Sequence, residues 1–109
     1  MSANALENVL LTVIMIQGRP MQMLDMETST TINIKIAPSN YFRNMETVED
    51  SVIEGREFIV AKKHLDAASF PTLERGQRII DPDFGTETIS SIREMIALGK
   101  IIGYRIRTS

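Results

Sequence analysis

The residues able to do chemistry are few. The chain has one histidine, His64, and no cysteine. That removes disulfides, thiolate metal ligands and cysteine nucleophiles, and with them any His-rich zinc site. A Ser–His–Asp arrangement would need His64, which lies in Lys62-Lys63-His64 beside Asp66. A solvated helical turn accounts for that stretch, because a triad is recognised by geometry rather than by neighbours in sequence. Asp81, Asp83 and Glu87 offer carboxylate oxygens for a hard cation. Pro82 interrupts an EF-hand-like spacing, however, and the further oxygens are missing. The expected structure there is a turn whose Asp side chains accept hydrogen bonds from backbone N–H groups. Gly55, Gly76, Gly85, Gly99 and Gly103 stand singly, with no phosphate-cradling pattern. They read as turns or bulges that need positive φ. The expectation is a non-enzymatic chain with no catalytic residues, no cofactor and no metal.

What remains is chemistry of contact. There are seven methionines, and Met15, Met21, Met23 and Met26 gather around the first strand candidate. Flexible, polarizable side chains suit an adaptable interface. Met21 and Met23 are the candidate N-terminal contact, although core filling is the better account of any single methionine. Lys100, Arg105 and Arg107 make a basic face near the C-terminus, which as a plain sheet face would be solvated or would protect an edge. Glu46, Glu49 and Asp50 make an acidic segment. With Tyr41, Phe42 and Arg43 they form a candidate interface or lumen loop.

The elements that must position these residues follow from periodicity. The 109 residues bound the chain to one domain, 1–109, with 43% hydrophobic and 24% charged residues. Residues 4–17 read as a helix: Asn4 and Glu7 have capping-box spacing, and Leu6, Val9, Leu10 and Val13 follow helical spacing. Gly18 and Pro20 end it. A β-rich body, 19–108, follows. A mixed strand from Met21 pairs with the alternating run Thr30 to Ile36, forming a hairpin. Residues 38–52 lack periodicity and read as a long loop, which in a compact domain is functional or ordered only on binding. Arg56 to Ala61 is a strand, Lys62 to Ala68 a short helical turn with Leu65 inward, and Gln77 to Ile80 a short strand. Ile101 to Thr108 is a strand whose partner must come just before Gly99, so Thr88 to Ile96 reads as a long, bulged strand rather than a helix. The fold class is mainly β: a small antiparallel sandwich or barrel with an N-terminal helix.

The net charge is -2 and the pI about 5.4, against nucleic-acid binding by bulk charge. The apolar run Val9 to Ile16 is interrupted by Thr12 and is far short of the ~20 residues of a spanning helix. The start lacks a basic stretch, so the expectation is assembly in a cytoplasm, without a membrane.

Several motifs in order resemble the small head–tail joining proteins of tailed phages, the connectors or stoppers of the virion neck. They are Asn40-Tyr41-Phe42-Arg43-Asn44, Glu54-Gly55-Arg56-Glu57-Phe58-Ile59-Val60, Leu65-Asp66, Phe70-Pro71 and Arg75-Gly76-Gln77-Arg78-Ile79-Ile80-Asp81. Ile92-Arg93-Glu94-Met95, Leu98-Gly99 and Ile102-Gly103-Tyr104-Arg105-Ile106-Arg107-Thr108 complete the run. The resemblance covers residues 40 to 108 and implies a small antiparallel barrel or sandwich with a helix. It implies a homo-oligomeric ring, a hexamer or a dodecamer. The portal or adaptor protein lies on the head side, and the tail terminator or tail tube on the tail side. DNA would pass through without specific binding. It carries no catalytic residues. A ring subunit needs strands or loops that meet its neighbours. The acidic loop would serve there, or would line the channel and repel phosphate. If it lines the channel, neutralising its acids leaves the ring intact. A tail terminator ring and a non-viral ligand-binding barrel are the alternative readings.

Overall fold

The computed structural model describes residues 3–43, 54–83 and 85–108. Helix α1, Ala3–Gln17, is followed by β1, Arg19–Asp25, and β2, Thr30–Arg43. Then come β3, Glu54–Ala61, helix α2, Lys62–Ala67, and β4, Arg78–Asp81. Strands β5, Gly85–Ala97, and β6, Lys100–Thr108, complete the order. The strands close into an antiparallel barrel in the order β1-β2-β3-β6-β5-β4.

Closure depends on β2 and β5, the two longest strands. Residues 30–36 of β2 pair with β1, whereas Ala37 to Arg43 pair with β3. In the same way β5 pairs first with β4 and then, from Ile89, with β6. Each long strand therefore turns a corner between two sheets, and each has a register shift near its corner: Pro38/Asn40 in β2, Ile89/Ser91 in β5. A bulge adds local bend and twist, which is what a barrel corner needs.

The expected long strand at 88–96 is present. The expected loop at 38–52 is strand over residues 38–43, and its remainder, 44–52, lies outside the described residues. Pro38 lacks the N–H of an interior ladder and sits at the bulge, where a strand tolerates proline. A strand that changes sheets also loses its alternation. Glu46, Glu49 and Asp50 lie outside the described residues. The helix begins one residue before the expected cap, so Asn4 lies inside its first turn. Asn4 Oδ1 and Glu7 Oε1 instead accept from Lys100 Nζ at 3.4 and 3.3 Å, tying α1 to the β5–β6 turn.

The barrel interior is filled by side chains. Met21, Met23, Ile36, Phe58, Val60, Ile79, Ile89 and Ile106 are essentially inaccessible, and Leu65 of α2 packs with them. A second cluster lies where α1 crosses the outer wall, Leu10 and Ile14 meeting Ala37, Ala61, Ala97 and Ile102. The wall under the helix is built from small residues, so the two backbones can approach closely. Gly103 is the closest point. A Cβ there would stand 2.7 Å from the Val60 carbonyl oxygen and 2.8 Å from Leu10 Cδ2. Gly103 is thus a seat for the helix rather than a positive-φ turn, unlike Gly76, Gly85 and Gly99.

Gly103→Val should destabilise the chain by about 1–3 kcal/mol through overpacking against fixed backbone. Denaturant unfolding measures the loss, and faster proteolysis within α1 would locate it. An unchanged midpoint would count against the close helix–wall contact.

Candidate interface surfaces

Three surfaces expose large apolar side chains or the end of a strand pair. The first is the end of the β2–β3 hairpin. The last β3–β6 pair is Glu57 with Arg107, and the first β1–β2 pair is Arg19 with Ile36. Beyond both, Tyr41, Phe42 and Arg43 pair only with Arg56, Gly55 and Glu54 among the described residues. Here the sheet is two strands wide and projects past the barrel as an arm. Both edges of such a ribbon present unpaired N–H and C=O groups, and an isolated two-stranded ribbon is marginal in water.

The arm is anchored by a polar cluster at its root. The Asp81 carboxylate, whose side chain is 0% exposed, receives Arg19 Nη2 at 2.8 Å and Arg56 Nη1 at 3.0 Å on Oδ2. Its Oδ1 accepts the Asp83 N–H at 2.8 Å. Arg56 Nη1 also reaches Glu87 Oε2 at 2.8 Å, and Arg19 Nη1 reaches Asp83 Oδ2 at 2.6 Å. The Thr108 hydroxyl donates to Glu87 Oε1 at 2.9 Å. The Arg56 guanidinium carbon lies 4.8 Å from the centre of the Phe58 ring, so the cluster sits directly on the core. Strands β1, β3, β4, β5 and β6 are joined here, and the arm leaves the barrel at a fixed angle. Burial by itself raises a carboxyl pKa. The Asp83 N–H and the guanidinium groups of Arg56 and Arg19 outweigh it and hold Asp81 below the usual carboxylate range.

The second surface is the outer side of α1. Val9 and Ile16 are 54% and 73% exposed and stand seven residues apart on one face. The third is the tip of the β5–β6 hairpin, a two-residue turn of Leu98 and Gly99 with φ of 50° and 80°. Both positive φ values match a type I′ turn, for which Asn-Gly is the favoured pair. Leucine pays in backbone strain at such a position. Leu98 is nevertheless 73% exposed, and Ile96 beside it is 61% exposed.

Of the residues expected to make contacts, Met21 and Met23 do not. Their side chains are 2% and 0% exposed inside the barrel, because they alternate inward along β1. They are core, and the exposed methionines are Met15 and Met26. Tyr41, Phe42 and Arg43 lie on the arm strand. Asp81, Asp83 and Glu87 are brought together, but with two arginines, as ion-pair partners. Among the described residues no three His, Cys, Asp or Glu side chains are grouped to hold a metal ion. His64 is half-buried on α2. No helix among the described residues is long and apolar enough to cross a membrane. The Arg19–Asp81–Arg56–Glu87 cluster escaped sequence reading because its members are far apart along the chain.

No protein-family model matches the chain, and no curated protein matches it.

The Asp81 cluster makes stability depend on pH. A carboxylate with a lowered native pKa contributes fully above the unfolded value, roughly pH 4 for Asp, and that contribution is lost as pH falls through the lowered native value. Asp81→Asn should flatten this acid limb in thermal melts. At neutral pH, Asp81→Ala should cost about 1–3 kcal/mol, because Arg19 and Arg56 each lose a buried charged acceptor while keeping Asp83 and Glu87. An acid limb identical to wild type in Asp81→Asn would exclude this role.

Proposed function

We propose that the chain is a structural subunit of a tailed-phage neck. Copies join in a ring, a hexamer or a dodecamer, between the portal or adaptor of the DNA-filled head and the tail terminator or tail tube. The ring helps retain the packaged genome, and DNA passes through it without specific binding. The subunit's place is in the virion, after assembly in the host cytoplasm.

The observation that carries this reading is the arm. A two-stranded ribbon anchored at its root by ion pairs, and with no further strand paired to it among the described residues, is suited to strand-edge contact with a neighbouring copy. The motif run supports it: Glu54 to Val60 is β3, Arg75 to Asp81 leads through β4, and Ile102 to Thr108 is β6. With Ile92 to Met95 in β5, the motifs fall on the four neighbouring strands β3-β6-β5-β4 of one barrel. The exposed apolar side of α1 and the strained, exposed Leu98 supply further contact surface for a layer above or below a ring. A ligand-binding barrel is less well supported, because the barrel interior is occupied by its own side chains.

The test is assembly. The purified chain should co-sediment with portal-bearing heads of the phage or prophage that encodes it, and appear as a ring in electron micrographs. A variant with residues 43–54 replaced by Asn-Gly should keep its cooperative melt and lose the ring. A wild-type chain that stays monomeric and ignores such heads would sink the proposal. Leu98→Asn separates contact from folding. Stability should rise by about 1 kcal/mol as strain at φ of 50° is relieved, while head binding weakens. Equal head binding would remove Leu98 from the interface.

A further inference from the structure

The outer wall of β3, β6 and β5, beside the footprint of α1, carries a groove of about 170 Å³. The register aligns Glu57 with Arg107 and Arg107 with Ser91, and in the next row Arg105 with Arg93. Three arginines therefore surround one carboxylate. Arg105 and Arg93 are directly opposed across neighbouring strands, which like charges disfavour. Arg93 is exposed and has no hydrogen-bond or ion-pair partner among the described residues.

Glu57 is out of place on such a wall. It is 5% exposed, with Arg105 Nε 3.1 Å from Oε1 and Arg107 Nε 3.6 Å from Oε2. Despite the short approach, the direction is wrong for a hydrogen bond, and Oε1 is buried without one. A buried acceptor left in this state is unfavourable unless something supplies a donor.

The groove therefore asks for two things at once: negative charge for Arg93, and an N–H or O–H donor for Glu57 Oε1. Nucleic-acid phosphate supplies only the first, and Glu57 repels it. An acidic peptide supplies both, through its carboxylates and its backbone N–H groups. The volume is below the roughly 300 Å³ of small-molecule sites, which also favours a side chain with its backbone over a free ligand. This chain contains such a peptide in Glu46-Thr47-Val48-Glu49-Asp50, between the two strands of the arm. The arm leaves the wall past the Glu57–Arg107 pair. A neighbour that meets the arm edge-on presents its wall there.

We propose that this groove receives the acidic segment 46–50 of a second copy, with Arg93 as its principal anchor. The inference rests on the ring reading and places the acids at the subunit interface rather than in the channel.

A charge-swap mixing experiment tests it. One full-length variant carries Arg93→Glu and Arg105→Glu, and the other Glu46→Lys and Glu49→Lys. Arg93→Glu alone serves as the milder groove variant, since that side chain has no partner to lose among the described residues. All must retain the wild-type cooperative melt. By sedimentation velocity the wild type should self-associate, less so as salt rises. Each variant alone should associate at least roughly tenfold more weakly. Their equimolar mixture should recover association, because every groove then finds a segment of opposite sign on the other chain. Variants that associate like wild type overturn the proposal. So does a mixture that fails to recover, which is the result if the segment folds onto its own wall. A wild-type chain that is monomeric throughout also overturns this docking. It does not touch the neck reading, which is decided separately by head binding.

Discussion

A sheet of six strands can close on itself only if some strands belong to two walls, and here β2 and β5 carry that burden. Each must bend, each contains a register shift where it does so, and each must be about twice the length of a strand that serves one wall. Much else follows from this constraint. Because β2 is committed to β1 over its first half, its second half is free to pair with β3 and to run on past the barrel. The arm is thus the continuation of a closure strand, and its direction is set by the same bulge that makes the corner. The polar cluster of Arg19, Asp81, Arg56 and Glu87 sits where the two walls meet at that end. It satisfies charges that could not otherwise be buried beside Phe58.

The two hydrophobic clusters divide the labour. The inner one holds the walls together and is built of large side chains from nearly every strand. The outer one fixes α1 and is built against alanines and a glycine. A helix seated on small residues lies close to the wall and gains many short contacts from few atoms. It also leaves its far side uncovered, which is why Val9 and Ile16 remain in solvent while Leu10 and Ile14 do not.

How much of this could be read from the sequence depended on whether the signal was local. Helix α1, the first hairpin and β6 have regular periods, and each was legible. The length of β5 was legible by necessity, because β6 needed an antiparallel partner immediately before Leu98-Gly99. The far half of β2 was not, since a strand that turns between walls at Pro38 shows no steady alternation. Met21 and Met23 stood out as contact candidates because methionines gather around β1, although core filling was the better account of either one alone. Gly103 looked like a turn because sequence cannot show a helix passing over a strand. The basic pair Arg105 and Arg107 was visible, but Glu57 beneath them was not. Their meeting depends on the β3–β6 register, which no local pattern encodes.

The seat of α1 also sets a timetable. Its footprint includes Ala97, Ile102 and Gly103, and Glu7 and Lys100, which lock its first turn to the hairpin, are 93 residues apart. On a ribosome adding about 5–20 residues per second, the helix waits roughly 5 to 20 s for the surface that covers it. Until then its apolar face is open, and the barrel lacks the strand that joins β3 to β5. The barrel can close only once β6 has emerged to pair with both β3 and β5. Helix α1 is synthesised before every strand of the barrel and is among the last elements to find its place.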